Sequence, residues 1–392
     1  MPQIRTLLTT AVALTLLAST PASAAPGDLD RSFGAGGKVT LSLAHGGSQG
    51  NTVLVQPDGR ILIGGWAYAR GFAIVRLLRD GALDRSFGDG GVATTNLPTG
   101  PAVITDLALD DRGRIDVTGL SEGSLALARY RPEGTLDPTF GHGGIVTTRY
   151  RHAQTSAEGV AVEPGGGVLA AGTADDKRWI LAKFTDRGTL DRSFGRGGWA
   201  TVDFGSGEEV ARDLTLTPNG RIVVSGTGGQ RFALARFRRD GTLDPQFGSG
   251  GTVVSRNRGS AAAVTLLRDG DVLAAGQSEG AFELRRYLPS GRPDRSFGTG
   301  GRASEPSVDG AAYDMVAARD GSAVLAGSAF QDFTVGRYLP AGSPDPAFGN
   351  DGVVHTRFPN YGFAQGVALT PDGRIVVVGQ TGSRIGVARY RP

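Results

Sequence analysis

Three regularities in the 392-residue sequence predict an all-β fold, a seven-bladed β-propeller with four antiparallel strands per blade. First, one stretch recurs seven times, opening as Gly27-Asp28-Leu29-Asp30-Arg31-Ser32-Phe33-Gly34-Ala35-Gly36-Gly37 and returning clearly over 188–198. Its Phe falls at Phe33, Phe87, Phe140, Phe194, Phe247, Phe297 and Phe348, a period of about 50–54 residues that marks a propeller or another repeat array. Second, Asp-Gly or Asn-Gly turns sit between apolar runs in most periods, the strongest short-range hairpin signal. Third, no run carries the 3.6-residue periodicity of a helix. A β-helix needs shorter rungs than this period, and a row of hairpins leaves sheet edges open. Radial closure answers both objections.

Residues 1–24 read as a secretory signal. Arg5 supplies the positive region, 7–17 a short apolar stretch, and Ala22-Ser23-Ala24 the cleavage site. The propeller is expected over 25–392 as one domain, and no later apolar run reaches the roughly 18 residues of a membrane span. Within the unit 37–88, residues 38–43 are expected as a first strand and Val53-Leu54-Val55 as a second, whose larger apolar residues keep a period of two. The turn Pro57-Asp58-Gly59-Arg60 follows, repeated at 218–221 and 371–374. A third strand over 60–65 is almost continuously apolar and should be buried on both faces. It ends in a fixed glycine, at 65, 119, 172, 226, 276, 327 and 379, which suggests a bulge or a close backbone approach. The fourth strand covers 72–78. Seven units give 28 strands.

The recurring stretch is expected to link the outer strand of one blade to the first strand of the next. Its Phe reads as a plug between sheets, its glycines as the residues that permit the reversal. Its Asp recurs at Asp30, Asp84, Asp137, Asp191, Asp244, Asp294 and Asp345, and a basic residue lies eight positions before six of them. The pairs are Arg76/Asp84, Arg129/Asp137, Lys183/Asp191, Arg236/Asp244, Arg286/Asp294 and Arg337/Asp345. A pair present in every unit is architecture, because an active site needs one copy. Arg389 has no Asp after it and Asp30 has no basic strand before it. They are expected to pair, with 27–37 closing the ring against blade seven.

The composition excludes much chemistry. There is no Cys, so no disulfide, thiol catalysis or thiolate metal site. The formal charge of +3 falls to about +2 without Arg5, and lysine occurs only at Lys38, Lys177 and Lys183. No charge block of a nucleic-acid-binding tail is present. His45, His142, His152 and His355 lack metal-ligand spacing, and no nucleophile elbow or phosphate loop exists. No cofactor, metal or catalytic set is expected. The acid pair Asp175-Asp176 sits beside Lys177 and Arg178, which reads as a self-neutralised loop before a cation site.

What varies between units is the loop before each second strand, at 44–50, 96–102, 149–156, 203–209, 256–260, 305–310 and 357–363. Tyr150, Arg151 and His152 in the third, with Arg357, Phe358 and Tyr361 in the seventh, are the candidate ligand-binding residues, since exposed aromatics with Arg can stack on a sugar or peptide.

The combination G-x-[LP]-D-x-x-F-G-x-G-G with a central P-D-G-R-I resembles the delta-60 repeat family of bacterial proteins over nearly all of the chain after residue 24. The resemblance implies a β-propeller-like fold and no particular activity. The reading is a secreted, monomeric binding module for cell-wall glycan, peptide or extracellular protein, without nucleic acid. The rivals are a secreted hydrolase or lyase acting on polysaccharide in the central funnel, and a structural cell-surface module.

Overall fold

The computed structural model describes residues 25–43, 46–205 and 207–392. The expected leader over 1–24 and His45 lie outside the described residues. Among the described residues no helix is long and apolar enough to cross a membrane. The regular elements are strands, grouped in seven blades that each run antiparallel.

The chain opens with β1 (Lys38–Leu41). Blade one is β2 (Ser48–Val55), β3 (Ile61–Ala67), β4 (Gly71–Leu77) and β5 (Val92–Thr95). Blade two is β6 (Ala102–Leu109), β7 (Ile115–Ser121), β8 (Ser124–Tyr130) and β9 (Ile145–Thr148). Blade three is β10 (Thr155–Val162), β11 (Val168–Ala174), β12 (Arg178–Phe184) and β13 (Trp199–Val202). Blade four is β14 (Val210–Leu216), β15 (Ile222–Gly228), β16 (Arg231–Phe237) and β17 (Thr252–Arg258). Blade five is β18 (Ser260–Leu266), β19 (Val272–Ser278), β20 (Ala281–Tyr287) and the first half of β21 (Arg302–Ala317). The second half of β21 begins blade six, followed by β22 (Ala323–Ala329), β23 (Asp332–Tyr338) and β24 (Val353–Thr356). Blade seven is β25 (Gly362–Leu369), β26 (Ile375–Thr381), β27 (Arg384–Tyr390) and β1, which pairs Lys38 with Ala388 and Leu41 with Ile385. The loop expected at 305–310 is continuous strand, so among the described residues 27 strands stand where 28 were expected.

The phase of the repeat differs from the sequence reading. The strand after each recurring stretch is the outermost strand of its own blade, not the first of the next. A cyclic repeat reads alike from any starting point, so periodicity alone cannot say where a blade begins. The recurring stretch therefore joins third and fourth strands within a blade, and the variable loops join the blades. In space the stretch still reaches across. The amide of the Gly after each Phe donates to a carbonyl of the next blade, as Gly34 to Asp80, Gly88 to Glu133 and Gly349 to Pro26, over 2.6–3.1 Å in all seven. Each Phe is at most 3% exposed. Phe33 packs among Ile61, Ile63 and Val75 of blade one and Val376, Val378 and Ile385 of blade seven. Full burial of such a ring stabilises by about 1.5–3 kcal/mol.

The Asp in each copy accepts the amide two residues on, an Asx turn, as Ser32 N to Asp30 Oδ1 at 3.1 Å. Its other oxygen meets the basic residues. Arg389 Nε donates to Asp30 Oδ2 at 2.9 Å, and Arg374 lies 2.8 Å from the same oxygen. Arg76 and Arg60 lie 2.8 and 3.0 Å from Asp84. Arg236 and Arg221 both lie 2.9 Å from Asp244. Arg337 reaches Asp345 at 2.6 Å, Arg286 reaches Asp294 at 3.3 Å, and Lys183 reaches Asp191 at 3.7 Å. The Arg of the P-D-G-R turn is thus a second partner that spacing did not reveal.

The expected Arg129/Asp137 side-chain pair does not form. Asp116, which stands where blade one has Leu62, takes Arg129 Nε at 2.7 Å, and Asp137 is left to Arg114 at 3.4 Å. Six of the basic side chains also lie over the motif ring, Arg129 over Phe140 at 4.4 Å and Arg389 over Phe33 at 4.6 Å among them. Several cross the seam as well. Arg76 donates to Pro132 O at 2.6 Å, Arg129 to Asp186 O at 2.7 Å, and Arg389 to Arg79 O.

The fixed glycine at the end of each second blade strand has a steric cause. A Cβ on Gly65 would lie 1.9 Å from Gln49 O, and the other six equivalents would meet the facing carbonyl at 1.9–2.0 Å. The facing strand is bulged at that point. Its register skips one residue in every blade, Asn51, Thr105, Glu158, Arg212, Ala262, Tyr313 and Gln365. These bulged strands, β2, β6, β10, β14, β18, β21 and β25, contact one another around the axis and are the innermost of each blade.

Asp30→Ala strands Arg389 and Arg374 at the seam between the chain ends. It should cost about 3–5 kcal/mol, whereas Asp137→Ala, which leaves Arg129 on Asp116, should cost about 1–2 kcal/mol. Denaturant titration of both variants checks the order.

Candidate functional site

The skipped residue of each innermost strand has no cross-strand partner and is free to leave the sheet plane. All seven line one cavity of about 330 Å³, together with Ser260, Gln277, Ala311 and Ala312. A cavity that takes one residue from every blade lies on the ring axis. Two of its side chains are spent on the walls. Asn51 Nδ2 donates to Ile104 O and Thr105 Oγ1 to Ala157 O, each at 2.7 Å and each to the next blade. Tyr313 and Arg212 are exposed to the cavity mouth, Tyr313 at 41%. Burial pushes the Glu158 carboxyl above its usual range, an effect that the Arg212 guanidinium and the Ser156 side chain partly offset. No hydrogen bond closes between Glu158 and Arg212, so both keep capacity for a third group.

One residue further along the strands the ring reads Thr52, Asp106, Gly159, Asp213, Ala263, Asp314 and Gly366. Aspartates stand in blades two, four and six, with small residues after each. Their carboxylates tie innermost strands together in pairs. Asp106 accepts Leu107 N at 2.8 Å and Val160 N of blade three at 2.9 Å. Asp213 accepts Leu214 N and Val264 N of blade five, both at 2.7 Å. Asp314 accepts Met315 N at 2.7 Å and Val367 N of blade seven at 2.8 Å. Blade one, the odd member, contributes Thr52, whose hydroxyl donates to Asp106 at 3.1 Å. These amides lie on strand edges that face the axis and have no further strand to pair with, so the carboxylates supply the missing acceptors. Burial raises the Asp106 carboxyl to about 6 and Asp314 to about 7. Burial lifts Asp213 well above the usual range too, reinforced by the charges of Asp106 and Asp314. A larger cavity of about 1020 Å³ starts at Thr52, Asp106 and Asp314 and runs to the opposite face at Asp320 and Pro371.

The sequence carried a signal for these residues that repeat counting passed over. Thr105-Asp106-Leu107, Arg212-Asp213-Leu214 and Tyr313-Asp314-Met315 place an Asp directly before a large apolar residue of the strand, in alternate units only.

The loop candidates fall in two separate places. Tyr150 and Arg151 line a cleft of about 500 Å³ with the 174–178 turn and the 203–209 loop. Arg151 and His152 hold positive φ of 47° and 67°. Arg151 lies over the Tyr150 ring at 5.2 Å, and Trp199 contacts that ring edge-on at 5.5 Å. The seventh loop corrects the expectation for Phe358. It is 3% exposed, packs on Phe333 at 4.7 Å and carries Lys38 over its ring at 5.5 Å, so it is core and offers no face to a ligand. Tyr361 is 49% exposed beside Phe363, and the exposed Arg357 side chain lies 3.6 Å from Asp332. The three described histidines do not converge: His142 lies in the recurring stretch of blade two, His152 in the third loop, His355 on the outermost strand β24. Asp175 and Asp176 form a left-handed hairpin turn (φ 50° and 52°), and Asp175 Oδ1 accepts Gln154 N at 2.9 Å. Among the described residues no cluster has the make-up of a metal site.

Four segments, 56–87, 113–140, 217–247 and 370–392, match the family described as a domain of unknown function (DUF5122) beta-propeller. No curated protein sequence matches the chain. Among solved structures, a catalytically inactive virginiamycin B lyase from Staphylococcus aureus with quinupristin is 13% identical, with a TM-score of 0.57 over 91% of this chain and 99% of that one. A streptogramin B lyase is 13% identical, TM-score 0.58, over 90% and 97%. The WD40 beta propeller domain of Doa1 is 12% identical, TM-score 0.53, over 90% and 95%. At these identities the likeness is one of fold, a seven-bladed, all-β propeller.

The axial carboxyls set a pH dependence. A carboxyl whose pKa rises on folding holds its proton more tightly in the folded chain, so its contribution is full below the ordinary carboxylate range and is withdrawn as pH climbs through about 6 to 7. The melting temperature should therefore be higher at pH 5 than at pH 8, and Asp314→Asn should narrow the gap. A midpoint that climbs steadily from pH 5 to pH 8 contradicts this account.

Proposed function

We propose that this chain is an exported binding propeller that holds a saccharide unit of a cell-envelope glycan at the ring axis. One observation carries the reading. Seven structurally equivalent positions, brought to one cavity by one repeated bulge, hold seven different residues, while the clasp positions around them repeat. Repetition serves the ring. Variety at a shared cavity serves recognition of something without sevenfold symmetry. The side chains suit a sugar. Glu158, Arg212 and Gln365 are planar groups able to engage neighbouring hydroxyls, and the Tyr313 ring is exposed for an apolar sugar face. The cavity lies at the lower end of the roughly 300–1,000 Å³ typical of small-ligand sites. Near-balanced charge argues against nucleic acid as the partner.

A second reading, hydrolase or lyase chemistry in the same channel, has one observation in its favour: Asp106 and Asp314 are shifted toward the range of general acids. Both oxygens of each already accept backbone amides, bonds that favour the ionised form and fix the carboxyls to the strands they join. Binding without turnover is therefore the stronger reading.

A glycan array probed with the purified protein tests it. Glu158→Ala and Arg212→Ala should each weaken the captured glycan at least tenfold, about 1.4 kcal/mol, with unchanged melting. Cleavage of the captured glycan would replace this reading with the enzymatic one, and full binding by both variants would remove the axis as the site.

A further inference from the structure

The axial cavity is not symmetric. Beyond the seven bulged residues, its lining comes from blades five and six alone, as Ser260, Gln277, Ala311 and Ala312. Ser260 and Gln277 face each other across β18 and β19, two residues from the bulge toward the rim. At the same places blade seven holds Phe363, blade one Trp66 donating to Gln49 at 3.4 Å, and blade two Val103 with Leu120. Bulky side chains close the wall there. In blade five a serine beside an outward-facing glutamine leaves it open.

A second observation falls on the same sector. The bulged residue follows the preceding motif Phe by 18 residues in blades one to four (Phe33 to Asn51 is the first) and by 17 in blade seven, but by 15 in blade five and 16 in blade six. The chain is therefore shortest where it crosses onto blades five and six. The other five crossings include loops of five to seven residues, whereas Gly259 alone separates β17 from β18, and β21 has no break. Both short crossings are held down on the neighbouring hairpin. Arg258 pairs with Arg231, and Gly259 N donates to Gln230 O at 3.2 Å. Asp309 pairs with Ala281, and Gly310 N donates to Gly280 O at 2.8 Å. No loop stands over blade five, so the cavity has a lateral outlet between these crossings.

We propose that the saccharide at the axis is one unit of a chain, and that the next units leave the ring over blade five, across Ser260 and Gln277. The inference rests on the axial reading given above. The outlet is polar. Gln277 is exposed, and its carboxamide, donor and acceptor in one plane, makes no hydrogen bond among the described residues. The Ser260 hydroxyl accepts Thr227 Oγ1 at 2.8 Å and keeps its own proton to donate. Glu279 follows at the exposed rim, where it accepts Asn257 Nδ2 at 3.2 Å. Two residues of strand advance about 6.6 Å, so the path from Ala262 past Ser260 and Gln277 to Glu279 spans about 13 Å, room for further sugar rings.

Isothermal titration of the purified protein with N-acetylglucosamine and its β-1,4-linked dimer and trimer tests the outlet. These chains carry acetamido groups able to meet the Gln277 carboxamide. The trimer should bind at least tenfold more tightly than the monomer. Ser260→Val with Gln277→Leu installs the pair that blade two already carries, Val103 and Leu120, so the double variant should melt as the wild-type protein does. It should bring the trimer-to-monomer affinity ratio to about one. Glu158→Ala should weaken every length alike and leave the ratio as it was. Equal affinity for all lengths in the wild-type protein, an undiminished ratio in the double variant, or no binding of any length overturns the proposal. Monomer binding undisturbed by Glu158→Ala removes the axial reading instead, so the two failures are told apart.

Discussion

The ring depends on its first and last strands sharing one sheet. β1 completes blade seven by pairing with β27, and the Asp30 carboxylate, buried at that seam, takes Arg389 from the far end of the chain. Without that pairing β27 would expose an unpaired edge, and blades one and seven would lose the Phe33 ring packed between them. The other seams repeat the same parts within continuous chain: a buried ring, an Asx turn and a basic side chain that also reaches across. The terminal seam differs only in that chain connectivity does not enforce it. There strand pairing and side-chain chemistry together must bring two distant segments together.

Closure then determines what the axis can be. A bulge at the same place in seven strands lifts one residue from each sheet, and the facing glycine is what lets the bulged backbone approach. The scaffold spends repeated residues on this geometry and leaves the lifted residue unconstrained. One step away, Asp106, Asp213 and Asp314 knit the innermost strands in pairs. They do so with carboxyls that would be costly to ionise if those backbone amides did not meet them. The axis is consequently rigid, and its recognition groups sit on strands more than on loops.

Much of this was legible in the sequence, because repetition exposes architecture. The period, the buried Phe, the strand-ending glycine and most Asp–basic pairs are positions where seven blades need the same thing. What repeats less was harder to see. The phase of the blades is invisible to any cyclic pattern. Arg129 finds Asp116 because a polar residue replaces Leu62 inside a run that otherwise reads as apolar strand. Phe358 sits in a loop, yet Phe333 from blade six buries it, a contact no local pattern encodes. The axial aspartates hid among apolar neighbours.

The long strand β21 has a consequence for what this scaffold will accept. At five of the other six junctions a loop separates outermost from innermost strand, while Gly259 alone stands between β17 and β18, and a loop can gain residues at little entropic cost. Between Asp309 and Gly310 there is no loop. One added residue there would slip the register of the following half-strand and turn each of its side chains to the opposite face, taking Tyr313 and Asp314 away from the channel. New segments can therefore be grafted at the looped junctions, and the joint between blades five and six must be left intact.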